Sequence, residues 1–209
     1  MTARTPPFDV PAFKTSGIYP QVRHPTIDLR RVNARLRAAV VADQREYRRR
    51  IRGKKPGVPY ARFGVYETSI DPRFRYATTR VVSFLVPMKR ELFPAQHGGD
   101  GWLGVTVLVP SGERVTIADL FANKRRGLRV LAREWRRRVG RCASIYPEAY
   151  TTTIENYRQY ALTRRGIVVG SQEIAACYRL SATVPYRVLR PHLSATGKDL
   201  VSAISGSRR

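Results

Sequence analysis

Apolar residues recur at Leu29, Val32, Leu36, Val40, Tyr47 and Ile51, in steps of 3, 4, 4, 7 and 4. That spacing is one face of a helix. Pro25 with Thr26 or Asp28 supplies its start, and Gly53, Pro56-Gly57 and Pro59 stop it. Arg48, Arg49, Arg50 and Arg52 in its last turns suit the negative end of the helix dipole. Ahead of it, residues 1–14 read as an extended tail and residues 15–24 as a short strand interrupted by Pro20.

The middle of the chain changes period. Residues 60–70 are rich in aromatic and β-branched types and predict a strand, and Asp71-Pro72 marks a turn. Residues 74–86 predict a second strand that ends at Pro87. A loop follows from Phe93 to Gly101, then a third strand over 102–109, and Pro110-Ser111-Gly112 turns the chain into Glu113–Ile117. Strands joined this tightly predict an antiparallel meander.

Helical spacing then returns, with Leu128, Leu131, Trp135 and Val139 in steps of 3, 4 and 4 and an end near Gly140. A short helical turn within 147–158, strands over 159–169 and 173–184, and a helix from Pro185 or Tyr186 to Leu193 complete the order. Helix, strands, helix, strands, helix is an α+β pattern. It predicts one domain over 15–197 and a flexible C-terminal tail over 198–209.

The chain has 209 residues, 43% of them hydrophobic, enough for a sizeable core. Lys+Arg number 39 against 15 Asp+Glu, a formal charge of +24. Six lysines leave 33 arginines among those cations. An acidic or charge-balanced surface is excluded. Nucleic acid is not thereby implied, since arginine-rich solvated faces also follow from a GC-rich coding sequence. The charge matters most on the second long helix, where Arg126, Arg129, Arg133, Arg136 and Arg137 form a dense stripe. Such a stripe attracts phosphates or any polyanion. It is also what an ordinary solvated helix face looks like, and no helix-turn-helix, zinc-finger or other nucleic-acid signature accompanies it.

Among the common catalytic motifs, G-x-S-x-G, H-E-x-x-H and the P-loop are absent. The three histidines lie far apart, and no cofactor or metal site is predicted. His97, in a glycine-rich loop with Asp100 nearby, is the one candidate for a functional loop, and a plain connection is the simpler reading. Asp119 reads as a helix cap rather than an acid catalyst.

Cys142 and Cys177 fit no zinc pattern. They are either two buried thiols or one disulfide closing a loop of roughly 36 residues, worth about 3–4 kcal/mol in an oxidising compartment. No window of about 18 apolar residues is present to span a membrane. Residues Met1–Pro7 lead into a polar stretch without the apolar core of a signal peptide, which leaves a cytoplasmic setting as the alternative to export.

Several segments together resemble the RsiV-like extracytoplasmic domain family, which includes the domain of a lysozyme-sensing anti-sigma factor. They are Tyr19-Pro20 with Val32-Asn33, Gly64-x-Tyr66-x-Thr68, Val82-Ser83, Gly98-Gly99, and the passage Ser111–Phe121 with its Asp119-Leu120-Phe121 end. Tyr160–Val169 and Val184-Pro185-Tyr186 with Leu189 and Leu193 complete the set. The resemblance spans about 17–197. It implies helices packed on a curved, mainly antiparallel sheet, a cell-envelope location and a non-enzymatic binding role. The anti-sigma segment and membrane helix of that factor are not in this sequence. Lysozyme is itself basic, so a +24 chain disfavours it as a partner. The expected function is recognition of an anionic polymer or a protein partner. An intracellular nucleic-acid binder and an envelope hydrolase using the His97 loop are the alternatives.

Overall fold

The longest strand organises the sheet built by the first half of the chain. In a computed structural model, which describes residues 3–4, 13–19, 21–52, 63–68, 75–93, 99–145, 151–171 and 180–206, this strand is β5 (Val81–Phe93). It pairs antiparallel with β6 (Gly99–Leu108), from Val81↔Leu108 to Arg90↔Gly99. On its other side, its first residues pair with β4 (Arg75–Ala77) and its last with β3 (Phe63–Thr68). β2 (Phe13–Tyr19) joins β3 in parallel, and β1 (Ala3–Arg4) pairs antiparallel with β2.

Several sequence expectations are corrected here. Pro87 does not end a strand. It sits inside β5, between the residues that pair with β4 (up to Phe84) and those that pair with β3 (from Met88). A residue without an N–H is tolerated in such an interval. The predicted strand 74–86 is instead a hairpin: Thr78 Oγ1 accepts from the amides of Arg80 (3.2 Å) and Val81 (3.1 Å) and turns β4 into β5. The strand expected at Glu113–Ile117 reduces to a single bridge, Val107↔Arg114, followed by a 3-10 turn over Ile117–Leu120. The strand expected over 159–169 is also folded in two. Thr163 receives the chain back through its N–H and Oγ1, both donating to Gly166 O at 2.9 Å. The result is a second, antiparallel sheet of β7 (Tyr160–Leu162), β8 (Gly166–Gly170) and β9 (Ser181–Pro185). The fold is α+β with two sheets rather than one.

The helices are α1 (Arg30–Arg52), α2 (Lys124–Val139), α3 (Arg141–Ile145), α4 (Ile154–Tyr157), α5 (Tyr186–Leu189) and α6 (Ala195–Ser205). Strand side chains alternate between faces, and here the alternation sorts the core into layers. Val82, Phe84, Val86 and Met88 of β5, with Leu103, Val105 and Val107 of β6, pack on Val32, Leu36 and Val40 of α1. The intervening Leu85 and Trp102 meet Ala161 and Val168 of the small sheet. The other face of that sheet, including Leu162, Ile167 and Val169, packs on Leu128, Leu131 and Trp135 of α2. The order is therefore α1, large sheet, small sheet, α2. Each fully buried aliphatic side chain contributes about 1.5–3 kcal/mol.

The middle seam is narrow and partly polar. A Cβ on Gly104 would lie 2.3 Å from the backbone nitrogen of Tyr160, and one on Gly170 would run into the Trp102 ring. Gly104 N donates to Gln159 Oε1 at 2.6 Å, so the free edge of β6 is capped by a side chain. Leu162 N donates to Ser83 Oγ (2.8 Å), which also shares a hydrogen bond with Thr106 Oγ1 at 2.7 Å.

The two expected tails are also corrected. Residues 3–4 and 13–14 belong to paired strands. At the other end α6 carries the chain to Ser205, with Leu200, Val201 and Ile204 buried. Ser194 caps it, accepting from Gly197 N at 3.0 Å, and its own N–H and hydroxyl donate to Leu120 O and Asp119 O. Gly197 lets the helix approach this closely, since a Cβ there would lie 2.3 Å from Leu120 O. The apolar spacing Leu200, Val201, Ile204 is helical, but the Ser/Gly/Arg-rich sequence around it masks the pattern.

Gly104→Val forces the two sheets apart and is expected to lower the unfolding free energy by about 2–4 kcal/mol in urea titration. Gly140, at φ +57 and ψ −125 with nothing within 4 Å, has room for a side chain but not the backbone freedom for one, so Gly140→Ala should cost about 1–3 kcal/mol through backbone strain alone.

Candidate anion-binding face

Helix α2 is fixed at both ends. Asn123 Oδ1 accepts from Arg126 N at 2.9 Å, and Gly140 closes the C-terminus, its N–H donating to Arg136 O. Gly127 lies against Phe121, whose Cγ would be 2.2 Å from an added Cβ. Leu128, Leu131, Trp135 and Val139 form the buried face, and Trp135 Nε1 donates to Val169 O at 3.1 Å. Successive residues turn about 100°. The opposite face therefore gathers Arg126, Arg129, Arg133, Arg136 and Arg137, all of them exposed.

These five are not equivalent. Glu134, with only 9% of its side chain exposed, draws in the C-terminal members. Its carboxylate lies 2.8 Å from Arg137 and Arg138 and 3.7 Å from Arg133. Arg138 also donates to Glu134 O at 2.8 Å. The bond from Arg138, with the charges of Arg137 and Arg133, holds the Glu134 carboxyl below its ordinary value, against a desolvation that works the other way. Spacings of three and four residues on a helix are the sequence signal for this cluster.

The other end of α2 is unbalanced. Its first turn, Lys124-Arg125-Arg126, holds no acid and places three cations at the positive end of the helix dipole. Such charges are disfavoured there by about 0.3–1 kcal/mol each. Among the described residues, no acid pairs with Arg126 or Arg129. The face thus runs from an uncompensated half at Lys124–Arg129 to a half tied to Glu134.

The remaining candidates separate. His97 lies outside the described residues. Asp100 is part of β6, in register opposite Lys89. Cys142, on α3, is half-buried and disulfide-bonded, and Cys177, the other cysteine of the sequence, lies outside the described residues. Asp119 caps the 3-10 turn before α2, accepting from Thr116 N at 2.8 Å and Thr116 Oγ1 at 2.6 Å. Among the described residues there is no cluster of three or more metal-ligating side chains, and no helix is long and apolar enough to cross a membrane.

Two solved structures share this architecture. One is a member of the DUF3298 family from Bacteroides fragilis, 10% identical, with a TM-score of 0.52, covering 99% of this chain and 95% of that one. The other is a DUF3298 family protein from Pseudomonas aeruginosa, 11% identical, with a TM-score of 0.51, covering 93% of this chain and 92% of that one. At such identities the likeness is one of fold. No family model matches the chain, and no curated protein does.

The Glu134 cluster has a pH signature. A carboxyl lowered by folding stabilises the native state above its unfolded value, near 4.5, and loses that contribution as pH falls through the folded value. The stability advantage of the native chain over Glu134→Gln should be full above about pH 5 and shrink toward zero below pH 4 in urea titrations.

Proposed function

We propose that the chain is a non-enzymatic recognition module of the cell envelope, of RsiV-like type, that binds an anionic polymer through the N-terminal half of α2. The observation that carries this reading is the uncompensated cluster Lys124, Arg125, Arg126 and Arg129. Three of these cations oppose the helix dipole, and folding gains nothing from their placement. An incoming polyanion relieves the repulsion, and the release of its counterions drives association. Glu134 leaves Arg133 and Arg137 partly neutralised, so they steer the ligand more than they hold it.

Two further observations support the envelope setting. The disulfide at Cys142 is the bond of an oxidising compartment. The structural neighbours are DUF3298 proteins, a family related to the RsiV C-terminal domain. Protein purified without reductant should show no reactive thiol after denaturation and two after reduction. Two thiols before reduction would return the chain to a cytoplasmic reading.

The polymer site is tested by charge reversal. Arg126→Glu, Arg129→Glu and Arg133→Glu together should abolish heparin retention at about 0.15 M salt. The same reversal at Arg37, Arg45 and Arg49 of α1 should reduce retention only modestly. Equal losses from the two triples would mean that the charge acts as a whole and that α2 is no site. Arg126→Glu alone places an acid at the third position after the Asn123 cap, so it should weaken retention while raising stability by about 0.5–1 kcal/mol. Sequence-selective binding of one DNA duplex over another would favour the nucleic-acid reading instead.

A further inference from the structure

A cleft of about 590 Å³ opens at the end of the large sheet, away from the arginines of α2. It lies between the segment leading into α1, the β4–β5 hairpin and the last turn of α6. Its volume falls within the range of small-molecule sites.

The walls are held in place by hydrogen bonds that do not involve a ligand. Asn33 fixes the first wall, its Oδ1 accepting from Val22 N at 2.9 Å and its Nδ2 donating to Val22 O at 3.0 Å. The second wall is the Thr78 turn, tied back by Val109 N donating to Arg80 O at 2.9 Å. The third is the end of α6, closed by Gly206 N donating to Ser202 O.

The chemistry of the lining is divided. Val22, Ile27, Leu29, Val82 and Val109 supply an apolar floor. Arg23, His24, Thr79, Arg80 and Ser202 supply polar groups, and among the described residues no aspartate or glutamate lines the cleft. His24 adds a directed donor. Its Nδ1 accepts from the backbone N–H groups of Thr26 and Ile27, both at 3.2 Å, so the ring proton sits on Nε2. Hydroxyls, an imidazole N–H and the Arg80 guanidinium beside an apolar floor match a ligand with an anionic head and an apolar body. A cation finds no counter-charge among the described lining residues, and a wholly polar anion leaves the floor wet.

We propose that this cleft binds a small amphiphilic anion, its carboxylate or phosphate head at Arg80 and His24 and its alkyl or aryl body over Val22, Leu29 and Val109. The site is separate from the polymer face on α2 and does not depend on it.

The experiment uses decanoate and decyl phosphate as probes, below their micellar range, with decanol and decyltrimethylammonium as controls. Amide shifts in the full chain are followed by NMR. Decanoate or decyl phosphate should shift residues 22–29, 77–82 and 202–206, and the stronger of the two identifies the head group. Decanol should bind at least tenfold more weakly, and the cation not at all. Arg80→Gln should weaken binding about tenfold. Thr79→Trp, on an exposed turn, and Ala203→Trp, on α6, should each block the cleft, and the first tests the site even if the second fails to fold. The triple reversal on α2 should leave decanoate binding unchanged. The proposal is overturned if neither anion shifts these residues at millimolar concentration, if decanol binds as tightly as decanoate, or if folded Thr79→Trp binds unaltered.

Discussion

Two sheets meet in this fold at a separation that leaves no room for a side chain at Gly104. The rest of the architecture depends on that contact. It places the small sheet across the face of β5–β6 opposite α1, and the small sheet in turn gives α2 its apolar partner. Because the two backbones come so close, their polar groups have to be matched across the seam. Gln159 and Ser83 do this, each accepting from an amide of the facing sheet. An orphaned buried donor costs about 1–3 kcal/mol, so these side chains fix the register of one sheet on the other as well as satisfying hydrogen bonds. The apolar part of the seam is small, namely Leu85, Trp102, Ala161 and Val168, and the larger cores lie to either side of it.

Much of this was legible from spacing alone. The α1 and α2 faces follow the predicted apolar positions, and Asp119 caps as its sequence context indicates. What escaped is what spacing does not encode. Pro87 normally argues against strand interior, yet β5 has a gap between two partners that accepts it. The division into two sheets leaves no mark in the sequence, because a three-residue strand such as β7 has too short a pattern to stand apart from β8. The final helix resembles a tail in sequence, because its stability comes from docking on the Ile117–Leu120 turn rather than from its own propensity.

The candidate sites divide in the same way. The arginine face of α2 was visible as a stripe, but the inequality within it was not. That arises from the buried position of Glu134, a tertiary property. The cleft was not visible at all, since its walls come from residues about 50 and 120 positions apart along the chain and no local motif joins them. A charge of +24 therefore says little until it is located. Part of it is tied down within α2, part lies unpaired at that helix's start, and part rims an apolar hollow on another side of the molecule.

The docking of α6 on the Leu120 turn bears on how the chain reaches its native state. Leu200, Val201 and Ile204 form one wall of the core that also contains Leu128, Leu131 and Trp135. Any nascent or translocating chain that has not yet delivered Ile204 lacks that wall, and its α2 packs against an open side. Closure of this half of the molecule must therefore await the delivery of Ile204, which keeps the residues before it pliable until then.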